Sequence, residues 1–250
     1  MNNKRVFTSI VCITALVVQA FAQSTTSMTE KDNGNIPQYS YSEKEMDKVS
    51  EYIKQQYGEF DIVAHELVSP DIHCDIAIVP PTEDQPYYKL VTMGAGAFKM
   101  NIPEDLKSDV YERAEYVVFL PADWNLKSDK EEDYWPIRML KSVARLPVRL
   151  NDWLYYRHTV NLTDDGSPVA ENTGFNSCVL LVSFGKDNQP VEPLKLGLFG
   201  KKVAFYQLFP LYQEELDFKL EHSFDELVDL IDDEELYDPI INIHRKNYCK

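Results

Sequence analysis

Glycine supplies only 9 of the 250 residues and proline 14, too few for a collagen-like repeat or a low-complexity chain. Positive charge is also short, with 25 Lys and Arg against 41 Asp and Glu and a net charge of −16. Phosphate backbones and anionic lipid repel such a chain, so nucleic acid and membrane surfaces are poor partners and a basic protein or peptide suits it better. Several motifs are missing. There is no G-x-x-x-x-G-K-[ST], no G-x-S-x-G and no C-x-x-C, which removes a P-loop, a nucleophile elbow and a thioredoxin-type or zinc-knuckle site. What is present, 44% hydrophobic and 26% charged residues, suffices for a globular core.

The one long apolar run, Val6 to Val18, has 13 residues, too few to cross roughly 30 Å of hydrocarbon as a helix. Lys4 and Arg5 precede it and Ala20-Phe21-Ala22 follows, the three-part pattern of a secretory signal cleaved before Gln23. Cys12 lacks the small residue before it that a lipobox requires. Residues 1–22 are therefore read as a signal peptide, and the exported protein as periplasmic or extracellular. Losing Lys4 and Arg5 takes the net charge from −16 to −18. Cys74, Cys178 and Cys249 remain. An odd number leaves at least one free thiol, and buried free thiols are favoured over one disulfide.

Residues 23–41 read as a polar, flexible leader. Ser42 opens a helix with Glu45 completing a capping box, Met46, Val49, Ile53 and Tyr57 form its apolar stripe, and Gly58 stops it. Strands are expected at Ile62 to Leu67, Ile72 to Val79, Tyr88 to Met93, Tyr116 to Leu120, Cys178 to Phe184 and Val203 to Leu208. In the second, Ile72, Cys74, Ile76 and Ile78 alternate with polar or small residues, the period of a half-buried strand. A helix is expected from Pro136 to about Leu146, where Pro147 interrupts it. Another carries Leu216, Leu220, Phe224, Leu227 and Leu230. The pattern is one α+β domain, a mixed sheet flanked by helices, over residues 42–238, with 239–250 a C-terminal tail.

Chemistry-bearing groups are few. Gly94-Ala95-Gly96 reads as a turn, because Lys99 stands where a dinucleotide loop needs its third glycine. His73 and Asp75 share a strand face, but His65, His158 and His222 show no spacing that promises a third ligand, so no metal and no cofactor is expected. The charge pattern says more. Residues 213–238 hold twelve acids against Lys219 alone, while 138–157 hold five bases against Asp152. The basic stretch also has Trp153, Tyr155 and Tyr156, with Trp135 just ahead of it, and aromatic residues beside arginine are enriched in protein-binding hot spots.

The same segments carry a resemblance. Asp71-Ile72-His73-Cys74-Asp75-Ile76, Pro80-Pro81-Thr82, Pro86-Tyr87-Tyr88 and Leu90-Val91-Thr92-Met93-Gly94 come first. Trp135-Pro136-Ile137-Arg138, Ala144-Arg145-Leu146-Pro147, His158-Thr159-Val160 and Phe205-Tyr206-Gln207-Leu208 follow, then Pro210-Leu211-Tyr212 and Glu214-Glu215-Leu216. Over residues 45–235 the chain resembles the suppressor of fused domain in its compact bacterial form. The resemblance implies a non-catalytic binding module. The animal protein takes up a short peptide as an added strand between two lobes, and bacterial relatives look like immunity proteins that neutralise toxins. Nothing here resembles the second lobe. The animal peptide site lies partly in the segment matching Ala144 to Val160, with His158 at the place of an acidic contact. The partner-binding candidates are Trp135, Arg145, Arg149, Trp153 and His158, toward a protein or peptide such as a toxin. The alternative is an envelope hydrolase using His73, Asp75 and nearby carboxylates.

Overall fold

The computed structural model describes residues 39–69, 71–197, 201–232, 235 and 238–250. The expected signal peptide and the leader up to residue 38 lie outside the described residues. The leader's last residues are already part of the fold: Tyr39 makes a parallel bridge to Ile72, and the Tyr41 ring is buried.

Helix α1 spans Glu43–Tyr57. At its start the Ser42 N–H donates to Glu45 Oε2 at 3.1 Å, and at its end the Gly58 N–H donates to the Lys54 carbonyl at 3.1 Å with Gly58 at φ 121°. Capping box, stripe and glycine stop act together as the spacing predicts. The strands are β1 (Ile62–Ala64), β2 (Asp75–Val79), β3 (Tyr87–Met93), β4 (Ala114–Pro121), β5 (Thr159–Asn161), β6 (Ser177–Val182), β7 (Leu194–Leu196) and β8 (Lys201–Leu211). They form one mixed sheet in the order β1-β2-β3-β4-β8-β6-β5, with β7 paired to the start of β8. Only the β4–β8 pair is parallel, with Ala114 opposite Ala204. The other helices are α2 (Glu131–Leu150), α3 (Gln213–Glu221) and α4 (Phe224–Leu230).

Both faces of the sheet are covered. On one, Trp135, Leu140, Val143 and Ala144 of α2 pack on Ile76, Ile78, Leu90, Val118, Leu180 and Leu208. On the other, α1 covers Ala77, Val79, Val91, Val117 and Phe205, while α3 and α4 cover Val179, Phe209 and Leu211. Strand β2 is therefore buried throughout rather than on one face. The small side chain of Ala77 sits under α1, so its low hydropathy reflects close packing, not contact with water.

Three local expectations give way to tertiary packing. Helix α2 begins before Pro136 and continues through Pro147 to Leu150. Proline removes one helical hydrogen bond, at a cost of about 3 kcal/mol. At Pro136 the Glu132 carbonyl is taken up by Asn172 Nδ2 at 2.9 Å, and both prolines are buried. The apolar pattern after residue 213 is two helices: Ser223 Oγ accepts from the Glu226 N–H at 3.1 Å and starts α4 anew. Residues 239–250, read from the sequence as a tail, are docked. Ile240 bridges to Phe119 of β4, and Ile241 and Arg245 are buried.

Gly94, Ala95 and Gly96 form the expected tight turn, and it has an occupant from within the chain. Their three backbone N–H groups, together with the Tyr41 and Thr92 hydroxyls, converge on the buried Glu115 carboxylate at 2.6–3.2 Å. Gly94 has φ 139°, and a Cβ there would lie 1.9 Å from the His73 carbonyl oxygen, so this position requires glycine.

Candidate functional site

The five candidate residues fall into three places. Trp135 lies wholly in the core, edge-on to Trp124 at 6.1 Å and tilted against Phe175 at 6.2 Å. It is unavailable to a partner because it sits on the inward face of α2. Arg145 and Arg149, one helical turn apart, converge on Asp71: Arg145 Nε lies 3.1 Å from Oδ1 and Arg149 Nε 2.9 Å from Oδ2. Arg145 also pairs with Glu66, and each of those two side chains is only 8% exposed. This corrects the expectation that Arg145 offers a free guanidinium: its donors are held by Glu66, Asp71 and the Lys141 carbonyl. Arg149 is the exposed member.

The loop that supplies Glu66 and Asp71 also holds the histidines. Asp75 accepts from the Glu66 N–H at 2.8 Å and lies 2.9 Å from His65 Nδ1 and 3.2 Å from His73 Nε2. Ser69 Oγ is 2.9 Å from His73 Nδ1. A serine, a histidine and an aspartate thus stand in line, an arrangement the sequence reading did not anticipate because Ser69 shows no motif. The hydroxyl has one proton, and Ser69 Oγ donates it to Glu66 Oε2 at 2.8 Å, so His73 is not placed to withdraw it. The geometry is that of a loop tied to α2. Among the described residues no three His, Cys, Asp or Glu side chains are placed to hold a metal ion. Among the described residues Cys74, Cys178 and Cys249 are free, and burial pushes the Cys74 and Cys178 thiols up.

Trp153 and His158 form the third place, at the sheet edge. Their rings pack at 4.5 Å between centroids, tilted by 59°, beside β5. Burial first, and then the nearby Lys219 charge, push the His158 imidazole down to about 4. Strand β5 pairs only with β6, Thr159 facing Val179 and Asn161 facing Ser177. The flanking bonds, Leu180 N–H to His158 O at 2.9 Å and Leu162 N–H to Asn176 O at 2.8 Å, fix the alternation of the ladder. Val160 is the residue bonded to β6, and the peptide groups of Thr159 and Asn161 point away from the sheet. Among the described residues nothing pairs with that edge. α3 and α4 flank it: Lys219 Nζ lies 3.5 Å from Thr159 Oγ1, and Arg157 pairs with Asp225 at 2.7 Å while lying over the Phe224 ring. Lys219 and Thr159 were not among the candidates, since a lone lysine in an acidic run and a three-residue strand give no periodic signal.

Comparison with known proteins agrees with this architecture. The family profile "Suppressor of fused protein (SUFU)" matches residues 70–246. An uncharacterized protein of Ureaplasma parvum is 26% identical over 226 residues, covering 85% of this chain and 99% of its own. Among solved structures, a homologue of suppressor of fused from Neisseria gonorrhoeae superposes with a TM-score of 0.55 at 20% identity, over 83% of this chain and 98% of that one. A chain of the Sufu–Fu complex gives 0.55 at 12% identity, over 85% and 93%. The profile ends at residue 246, so it takes in the docked Ile241 and Arg245. This chain belongs to the suppressor of fused family.

Proposed function

We propose that this protein is an exported, non-catalytic binding domain that takes up an extended segment of a protein partner on the free edge of β5, and that the partner is a toxin which it neutralises. The observation that carries the reading is the pair of outward-facing peptide groups at Thr159 and Asn161, bordered by Trp153, His158 and α3. Strand addition gives main-chain affinity, and the pockets beside the edge select side chains. A member of the family solved in complex with a protein, the Sufu–Fu complex, supports binding as the general role. Export is supported by Lys4, Arg5, the run Val6 to Val18 and Ala20-Phe21-Ala22. The Ser69, His73 and Asp75 side chains bond to one another and to His65 and Glu66 of the same loop, which supports a non-catalytic role.

Asn161→Pro tests the site, since proline deletes an N–H that faces away from β6. Capture from the envelope fraction of the producing cell, with the partner identified by mass and reconstituted pure, should fail with this variant while its melting temperature stays within a few degrees. Undiminished binding would place the interface elsewhere. Intact mass of the protein from the same fraction should correspond to a chain starting at Gln23.

A further inference from the structure

Lys219 is the single cation among the twelve acids of residues 213–238, yet among the described residues no acid pairs with it. Glu215 holds Arg245, Asp225 holds Arg157, and Asp232 holds Lys246. Asp217 accepts from Gln213, and Glu226 is bonded to Ser223. The ammonium is half-buried, and among the described residues its one polar contact is the Thr159 hydroxyl at a long 3.5 Å. Burial lowers its pKa, with no carboxylate acting in the other direction. A cation held this way at the rim of an open strand is incompletely satisfied.

Its position relative to the edge is specific. Thr159 lies opposite Val179, a residue of the α3–α4 face, so its side chain points to that face. In an added strand, the residue directly across from Thr159 puts its side chain on the same face, with Cβ atoms about 5 Å apart. That side chain would meet Lys219. Resting on the reading of β5 as the uptake edge, we infer that the captured segment carries an Asp or Glu at the position paired with Thr159, its carboxylate seated on Lys219. The selectivity opposes the long-range field of the protein: net negative charge attracts a basic partner at a distance, while the contact at the edge admits an acidic side chain. Arg157 does not compete for it, because Asp225 already holds its guanidinium.

A library of random twelve-residue peptides displayed on phage and panned on the purified protein tests this. Wild-type, Asn161→Pro, Lys219→Met and Lys219→Glu proteins, each checked by thermal melting, serve as baits. Peptides selected on the wild type should share an acidic residue at one fixed position of an extended motif. They should weaken at least tenfold on Asn161→Pro and on Lys219→Met, and panning on Lys219→Glu should replace the acid with Lys or Arg. Peptides that need the Asn161 N–H but show no acidic position, or keep their affinity for Lys219→Met, overturn the carboxylate inference and leave strand uptake standing. Peptides indifferent to Asn161→Pro, or no binders at all, overturn strand uptake on β5 and the inference with it.

Discussion

Glu215 and Arg245 face each other out of contact with water, joined by two hydrogen bonds of 2.6 Å between the guanidinium and the two carboxylate oxygens. The rings of Phe175, Phe209 and Tyr212 surround the guanidinium at 4.9–5.1 Å. The Tyr212 and Tyr248 N–H groups also donate to Glu215. One ion pair thus anchors the last residues of the chain against the start of α3 and the end of β8. Arg245→Ala strips the partner from a buried carboxylate and should cost about 3–5 kcal/mol in urea unfolding. Arg245→Met combined with Glu215→Leu should recover most of that loss, since neither charge then remains buried alone. A cost below 1 kcal/mol for Arg245→Ala would show that the C-terminal segment is not held by this pair.

Arg145 and Arg149 should behave differently although they sit one turn apart. Arg145→Ala leaves Glu66 and Asp71 in a shielded site and should cost about 3–5 kcal/mol. Arg149, half-exposed on the same Asp71, should cost no more than about 1 kcal/mol when changed to alanine. Thermal or urea unfolding of the two single variants decides this. Equal effects would mean that Arg145 is not the structural member.

Lys89 lies in β3 between Val79 and Phe119, and its Nζ finds no hydrogen-bond partner among the described residues. Tyr87 offers only its ring face at 5.0 Å. Burial pushes the amine from 10.5 down to about 8. The folded state thus binds this proton less well than the unfolded one, and stability is lost as pH falls from about 10.5 through 8. Lys89→Met should stabilise the protein by about 1–3 kcal/mol at pH 7, and the advantage should vanish above pH 10.5. Unfolding midpoints at pH 7 and 10.5 provide the measurement. Destabilisation at pH 7 would show that the ammonium is satisfied.

His158 gives an acid-side dependence. Its folded pKa of about 4 lies below the ordinary 6.5, so it contributes stability above pH 6.5 that is lost as pH falls through 4. The groups facing it are Lys219, which opposes its protonation, and Asp152, which favours it. The loss should be on the order of 2–3 kcal/mol. His158→Phe keeps a ring against Trp153 and removes the proton, so its stability should change less than that of the wild type between pH 6.5 and 4. Parallel profiles would refute this role.

Much of the fold was legible in the chain because its causes are local. Ser42, Glu45 and Gly58 set the limits of α1, and the alternation of Ile72, Cys74, Ile76 and Ile78 picked out the face of β2 that α2 covers. The α+β pattern and the order of sequence blocks are likewise written along the chain. Three-residue β5 and β7 were not, since Thr159-Val160-Asn161 is too short to show a period. Pro147 misled because its cost is offset by burial in α2, a long-range effect.

Residue order alone establishes which residues are apolar, where α1 starts and stops, and which family the succession of motifs points to. Tertiary structure decided which of the aromatic and basic residues are available. Trp135 and Arg145 read as partner-binding candidates by composition, yet one fills the core and the other is clamped by Glu66 and Asp71, whose positions 79 and 74 residues away no spacing rule reveals. Lys219 shows the reverse. In sequence it is one base in an acidic run, and only the packing of α3 beside β5 sets it against Thr159, with no carboxylate partner among the described residues. Charge and hydropathy are properties of single residues, whereas pairing and exposure depend on which distant segments the fold brings together.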